Sequence, residues 1–515
     1  MSDSQLTILA ISDLHYTGLS RQTAQAVPCR GELARTLLKK VFLRLQHEGT
    51  KPDVVVVLGD LTEDRADPNA QLDMISLHGE LVRCGLPVIV LPGNHDIDPA
   101  QFNECFNTPP GIYRYNGYGL VVLNDHYGDA HECTRGPESF QLLKRIRAEN
   151  PDIPLVVLQH APIYPPIDSN YPYRPVNVGE IIESYEKNGV ILSLSGHYHT
   201  GQKARVHNDI LYHTVAALCE PPFNFSLIRL NGTKIEIQEE SLQLTTSNIT
   251  DFHCHTEFAF CGTTIDSAPA IALSRTMGVQ TLCLVEHAFQ LYFPDKHTAM
   301  GFAWQSNPEM VETAWNTPGR GRMEAYQRFA SQLRPLGVKI GLELDLYGEG
   351  ELLLHDEDEK FGWDVLIGAV HQISGFERGK TTQSQAEELF MREITSLVSY
   401  NIQILAHPFR FFAKNGLKAP VDLYPEIAGL LSDNNVCAEV NFHNFNFPAN
   451  RFSAYRPDPE FFKLCVDKGV KLAFASDAHE LAEVGEFWPH VHTLKQVGIT
   501  SKSFAQCLFS LNKTM

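Results

Sequence analysis

Residues 6–15 read Leu-Thr-Ile-Leu-Ala-Ile-Ser-Asp-Leu-His. The apolar run has the length and composition of a buried strand. It stops on Asp13-x-His15, a carboxylate and an imidazole two positions apart. Further along, Val54–Leu58, Val88–Leu91, Leu155–Leu158 and Ile191–Leu194 are similar short apolar runs, each followed at once by polar residues. These are Gly59-Asp60, Gly93-Asn94-His95-Asp96, His160 and Gly196-His197-Tyr198-His199. Ala34–Gln46 and Leu72–Arg83 are amphipathic and read as helices. Strands alternating with helices predict an α/β layered fold whose ligands converge at the carboxyl edge of a sheet. Phe223–Leu244 reads as closing strands with a turn at Asn231-Gly232.

After a short polar stretch, Thr245–Thr250, the pattern returns with different spacing. His253-x-His255 opens it, followed by Glu286-His287, Glu343, His371, His407 and Asp477-x-His479. Thr281–Val285, Val338–Leu342, Val365–Val370, Ile402–Leu405, Val436–Val440 and Lys471–Ala475 are the strands that deliver these residues. Six or seven such strands with helices between them predict a barrel with its site at the strand carboxyl ends. Residues i and i+2 of a strand share a face, so His-x-His and Asp-x-His can each serve one cluster. Gln290–Arg322 has no strand pattern and is rich in Pro, Asn and Gly. It reads as a long loop, either a lid over the site or an exposed insertion.

Eleven of the 22 histidines fall inside these two sets. A lone histidine in a turn is usually a surface or core residue, but ordered blocks of mixed imidazole and carboxylate are not. His47, His78, His126, His131 and His213 lie outside the motifs and read as structural. Imidazole with carboxylate suits Zn²⁺, Mn²⁺ or Fe better than Mg²⁺ or Ca²⁺. Two such ions can clamp a phosphoryl group and activate water, given a bridging carboxylate.

The 515 residues are enough for two domains, expected at 1–245 and 246–515. The net charge of −19 argues against long nucleic acid as partner. No stretch has the roughly 20 apolar residues of a membrane helix. The start, MSDSQLTILAISDLH, lacks the basic region of a signal peptide, and the eleven cysteines form no C-x-x-C pair. Both point to a cytoplasmic protein with reduced thiols.

Residues 6–244 carry, in order, five motif blocks that resemble the calcineurin-like metallophosphoesterases. Cys219-Glu220-Pro221-Pro222 makes them most similar to the class III cyclic-nucleotide phosphodiesterase branch. The resemblance implies an αββα sandwich with two ions, Mn, Fe or Zn. Asp60 would bridge them, with Asp13, His15 and His199 on one ion and Asn94, His160 and His197 on the other. His95 would be the general acid or transition-state stabiliser, and Asp96 a partner orienting His95 or another ligand. Residues 251–510 resemble the PHP (polymerase and histidinol phosphatase) domain. That implies a distorted (β/α)7 barrel with two or three ions, Zn, Mn or Fe. His253, His255, Glu343 and Asp477 would hold one ion. Glu343 would bridge to a second, shared with His371 and His407. His287 and His479 would serve a third, with Cys261 where an imidazole or carboxylate is usual; Cys261 reads equally as a packing residue. Arg320, Arg322 and above all Arg410 are candidates for a phosphate clamp.

Together these imply a bifunctional metal-dependent hydrolase of small phosphate esters. The first domain would cleave a diester, with a nucleotide as guess, and the second the resulting monoester. The alternatives are a nuclease on short DNA or RNA, and a regulatory protein with one sensing metal domain.

Overall fold

The computed structural model describes residues 5–18, 29–128, 132–243, 249–262, 264–443, 458–487 and 494–504. The chain forms two compact units, Met1–Gln243 and Leu244–Met515. The expected boundary at 245/246 falls in 244–248, outside the described residues.

Among the described residues, the first unit holds two large sheets and a short two-stranded ribbon. One runs Lys234–Ser241, Asn224–Asn231, Gln5–Ile11, Val54–Leu58, Val88–Leu91 in spatial order. The other runs Gln202–His207, Ile210–Thr214, Val190–Ser195, Leu155–Leu158, Tyr118–Val122, Gly111–Tyr115. Alternate residues of both sheets, among them Ile8, Val56, Leu120, Val156 and Leu192, share one buried core. Each such side chain stabilises by about 1.5–3 kcal/mol. On the outer face of the second sheet, Val121 and Val157 meet Leu143 and Ile146 of helix Pro137–Glu149 and Ile181 of helix Val178–Lys187. Helices Ala34–Glu48 and Ala70–Arg83 pack on each other and bury Leu37, Val41, Met74 and Leu77. The unit is a sandwich of sheets and helices, with its central strands parallel and three of its four sheet edges antiparallel, the edge strand Val88–Leu91 being parallel. The closing hairpin pairs Asn231 with Lys234, so its two-residue turn is Gly232-Thr233, one position later than expected. Gly232 takes φ 61°, which a residue without Cβ adopts freely.

The second unit is built on seven parallel strands: Ile249–Cys254, Val279–His287, Lys339–Leu344, Val365–Gly368, Ile404–Leu405, Cys437–Asn441 and Leu472–Ala475. The first and last meet at their carboxyl ends. Asp477 N donates to His253 O (2.6 Å) and His255 N to Ala478 O (3.1 Å), which nearly closes a barrel. Along the later strands, side chains alternate between two clusters. Cys283, Val285, Ile367, Ile404, Cys437 and Ala473 pack in one cluster, while Leu405, Ala438, Val440, Leu472 and Phe474 pack in another with Phe390, Ile394 and Ile427 of the helices.

Residues 290–322 are not the loop expected. They contain helices Ala288–Tyr292, Lys296–Gly301 and Pro308–Trp315, with a 3₁₀ turn at Ala303–Ser306. The Pro and Asn that suggested a loop are helix punctuation. Asn307 caps Met310 N and Pro308 opens its helix, and Asp295 caps Thr298 N. The segment packs inward through Trp304, whose ring stacks on Phe289 at 5.6 Å and Phe293 at 5.7 Å. Phe289 and Phe302 then reach His371, at 5.5 and 6.3 Å between ring centres. Among the described residues, no helix is long and apolar enough to cross a membrane.

Candidate metal centres

In the first unit the carboxyl ends of strands from both large sheets, not of one sheet, collect all seven expected ligands. His15 Nε2 lies 3.1 Å from His199 Nε2, 3.7 Å from Asp60 Oδ2 and 4.0 Å from Asp13 Oδ1. His160 Nε2 lies 3.1 Å from both Asp60 Oδ2 and Asn94 Oδ1. His197 completes a three-residue group with Asp60 and His160. One carboxylate, Asp60, therefore stands between two groups of ligand atoms. The turns that bring them there are strained. Asp13, His15, Asp60 and His197 have φ between 46° and 65°, unusual for residues with a Cβ.

The tautomers are set from behind. His15 Nδ1 meets Glu63 Oε2 at 2.8 Å, His199 Nδ1 meets Glu220 Oε1 at 2.6 Å, and His160 Nδ1 meets Leu58 O at 2.6 Å. These partners accept, so each Nδ1 donates and each Nε2 lone pair points into the cluster. Lone pairs then face lone pairs and carboxylate oxygens, an arrangement that needs positive charge between them. Without a cation some of the imidazoles take protons in its place, though burial and then His160 keep His197 neutral. Burial disfavours a proton on His160 too, but Asp60 overrides it and pushes the pKa up to about 10. Burial likewise opposes the charge on Asp60, and His160 holds it well below the usual range.

His95 N donates to Asp60 Oδ1 (2.9 Å), and its Nδ1 meets Glu63 O at 2.6 Å. Its ring stands edge-on to His15 at 4.8 Å. Asp96 does not orient His95. It accepts from Leu61 N, Thr62 N and Gly93 N at 2.9–3.1 Å and so braces the Asp60 turn.

The second unit gathers its ligands around Glu343. Oε1 of Glu343 lies 2.9 Å from His407 Nε2 and 3.3 Å from His371 Nε2. Oε2 lies 3.3 Å from His253 Nε2 and 2.6 Å from His287 Nδ1. The last pair is close enough for a hydrogen bond, yet both atoms lack hydrogen-bond partners by geometry. Atoms that approach closely but point past each other converge on a third point. His253 Nε2, His255 Nδ1 and His407 Nδ1 are likewise buried without a partner. Leaving so many buried polar atoms unsatisfied would be costly, and a bound cation would satisfy several at once. The residues of both units thus fit divalent ions. Asp477 Oδ1 stands 3.0 Å from His255 Nε2, and His255, His287 and His479 form a further three-residue group. Here too a left-handed backbone aims the ligands, at His407 (φ 28°) and Asp477 (φ 48°). For Asp477-x-His479 the shared direction comes from this turn, not from strand alternation as expected.

Cys261 Sγ lies 3.4 Å from His287 Nε2 and accepts from Gln290 Nε2 at 3.2 Å. Burial pushes its thiol up to about 12. Arg410, expected as a phosphate clamp, engages Asp477 and Asn441 with its two terminal nitrogens. It anchors a candidate ligand while lining the cavity beside His287, His371 and His479. Arg320 pairs with Asp358, and Arg322 lies over the rings of Phe258 and Phe260.

Several supporting residues carry no motif signal. Glu439 holds His253 Nδ1 (2.8 Å) and the His407 backbone N (2.6 Å), and Asp345 holds His371 Nδ1 (2.9 Å). A charge inside the buried strand Cys-Ala-Glu-Val-Asn could have revealed Glu439. Glu63 gives no such sign. The histidines outside the motifs stay structural where they are described. His213 is buried between Gln202 O and Ser226 Oγ, His126 pairs with Glu138 at the surface, and His78 packs on Phe106. The His47 side chain and His131 lie outside the described residues.

Known proteins resemble both units. The calcineurin-like phosphoesterase model matches residues 6–201 and the PHP domain model residues 251–443. The 3',5'-cyclic adenosine monophosphate phosphodiesterase CpdA of Haemophilus influenzae is 27% identical over 166 residues, 30% of this chain and 55% of that protein. The cAMP/cGMP dual specificity phosphodiesterase MT0825 of Mycobacterium tuberculosis is 27% identical over 165 residues, 30% of this chain and 50% of that protein. The chain thus spans about half the length of these relatives. A dimetal phosphatase from Danio rerio aligns with 47% of this chain and 97% of its own, at TM-score 0.40 and 13% identity. A histidinol phosphatase described as putative, from Listeria monocytogenes, aligns with 46% of this chain and 97% of its own, at TM-score 0.27 and 15% identity. The chain carries a calcineurin-like phosphoesterase domain followed by a PHP domain.

Proposed function

We propose that the protein is a metal-dependent phosphoric ester hydrolase with two separate centres. The observation that carries this reading is the twice-repeated arrangement of a buried carboxylate, Asp60 or Glu343, facing two groups of imidazole nitrogens. When bound, divalent ions would neutralise phosphoryl charge and lower the pKa of water at each site. Asp13, His15, His199, Asn94, His160 and His197 would hold the first pair around Asp60. His253, His255, Asp477, His371 and His407 would hold the second around Glu343, with His287, His479 and Cys261 at a third position. His95, with Nδ1 tied to Glu63 O, is free to present Nε2 to a leaving-group oxygen as acid.

The first centre acts on small phosphodiesters, a reading supported by the cyclic-nucleotide phosphodiesterases among its relatives. The second acts on phosphomonoesters, so that the product of one is a substrate for the other. The test is a panel of phosphomonoesters, cyclic nucleotides, dinucleotides and short oligonucleotides, run with Mn²⁺ and with Zn²⁺. Asp60→Ala should abolish diester cleavage and spare monoester cleavage, and His371→Ala the reverse. Loss of both activities from either substitution in a folded protein would sink the two-centre reading. Rates that rise with oligonucleotide length would make it a nuclease.

A further inference from the structure

Beside the first centre stands a group of tyrosines that the ligand scheme does not use. Tyr127 lies on the short ribbon His126–Tyr127/Cys133–Thr134. Its ring is 6.2 Å from that of His160 and 6.3 Å from that of His197. Its hydroxyl is buried and has no hydrogen-bond partner among the described residues. A buried hydroxyl left without a partner is costly, so its retention next to the ligands calls for an occupant. Among the neighbouring buried polar groups of the described residues, His197 Nε2 and Asn124 Oδ1 likewise lack a partner, while Arg135, Tyr185 and Gln159 are engaged. Arg135 holds Asp125 and Tyr185, and Tyr185 donates to Gln159.

Around the same histidine, Tyr171 and Tyr173 pack at 4.6 Å from each other and at 5.8 and 5.3 Å from His197. Tyr198 stands edge-on to Tyr173 at 5.0 Å. These three rings are only partly buried. They form an aromatic wall at the rim of a cluster that is otherwise imidazole and carboxylate. Such a wall offers a flat apolar surface to a ligand whose phosphoryl group sits on the cluster.

Resting on the proposed phosphodiesterase reading of the first centre, we propose that Tyr127 and the Tyr171–Tyr173 wall form its substrate-recognition side. The Tyr127 hydroxyl donates to a phosphoryl oxygen, and the wall stacks a planar aromatic group on the ester. The substrate class is then a phosphodiester bearing a flat ring, such as a nucleobase or aryl group, in preference to an aliphatic one.

The test uses the full Mn²⁺-loaded chain and two readouts. The first is kinetics on a cyclic nucleotide and on an aliphatic glycerophosphodiester. Tyr127→Phe removes only the hydroxyl and should lower kcat/KM on both by roughly 10- to 100-fold, the effect of one hydrogen bond to a charged group. Tyr173→Leu should raise KM about tenfold for the cyclic nucleotide and leave the aliphatic diester within about twofold. The second readout is calorimetric binding of phenylphosphonate and methylphosphonate, which no phosphatase hydrolyses. The first-centre component is the one lost in Asp60→Ala. Wild type should prefer the phenyl compound at that site about tenfold, and Tyr173→Leu should erase the preference. A Tyr127→Phe chain within twofold of wild type on both diesters and both phosphonates would overturn the hydroxyl's role. Equal losses on aromatic and aliphatic ligands in a folded Tyr173→Leu chain would overturn the wall. A wild type that cleaves no diester yet keeps the phenyl preference would refute the diesterase reading and leave the wall standing.

Discussion

At the scale of residues, the two centres depend on what stands behind each histidine. Glu63, Glu220, Glu439 and Asp345 hold Nδ1 of His15, His199, His253 and His371. Supporting partners of this kind typically contribute 10- to 100-fold in metal affinity. Glu439→Gln should therefore weaken Mn²⁺ binding to the second unit by about that factor, measured by metal titration, with the first unit unchanged. An unchanged affinity would mean that Glu439 only packs. Cys261→Ser separates the two readings of that residue: loss of one ion from the second unit marks a ligand, and unchanged stoichiometry marks a packing thiol. His213 gives a different readout. Burial lowers its pKa to about 4 from an ordinary 6.5, so it folds neutral. The folded value lies below the unfolded one, so stability holds above about pH 6.5 and is lost as pH falls toward 4. The loss is at most about 3 kcal/mol. Urea unfolding should show the stability gap between wild type and His213→Gln narrowing over that window, and a constant gap would refute it. The first-sphere candidates were legible in the sequence because they sit in blocks at strand ends. Of their supporters, Glu439 showed only as a charge in an apolar strand, and Glu63 gave no sign, since it reaches the site only through the folded backbone.

At the scale of elements, strand positions were readable because a buried parallel strand is a short apolar run. Two edge strands were not. Gly111–Tyr115 and Gln202–His207 carry partly exposed, mixed residues and gave no such run. The helices of 288–315 escaped notice for another reason: each is short, and Pro, Asp, Gly and Asn interrupt the run between them. Their worth is in packing. Trp304 is fully buried, stacks on Phe289 and Phe293, and donates from Nε1 to Ala299 O at 3.0 Å. Trp304→Ala should destabilise the second unit by about 3–5 kcal/mol. Phe289 links Trp304 to His287 at 5.0 Å and His371 at 5.5 Å. Monoester cleavage should therefore fall more than diester cleavage in the same chain. Equal loss of both would show that the segment does not support the second centre in particular.

At the scale of the whole molecule, charge ties stability to metal. Each unit buries several carboxylates among imidazoles, and the sum must be compensated. In the first unit Asp60 and its neighbours push His160 up to about 10, and Glu220 and Asp13, against burial, push His199 up to about 9. In the second, Asp477 and Glu286 push His255 up to about 9, again against burial. Without metal, then, protons sit on nitrogens that a metal would use. Binding must release them. The sign follows directly: these folded values lie above the ordinary 6.5, so protons compete through neutral pH and more strongly as pH falls. Apparent Mn²⁺ affinity should rise with pH between about 6 and 9, and calorimetry in buffers of different ionisation enthalpy should register net proton release. Chelation should lower the thermal stability of each unit most at alkaline pH, where protons can no longer replace the ions. The measurement is unfolding with and without chelator across that range. A pH-independent affinity, with no proton release, would mean that the imidazoles are already neutral and that the buried carboxylates find their compensation elsewhere.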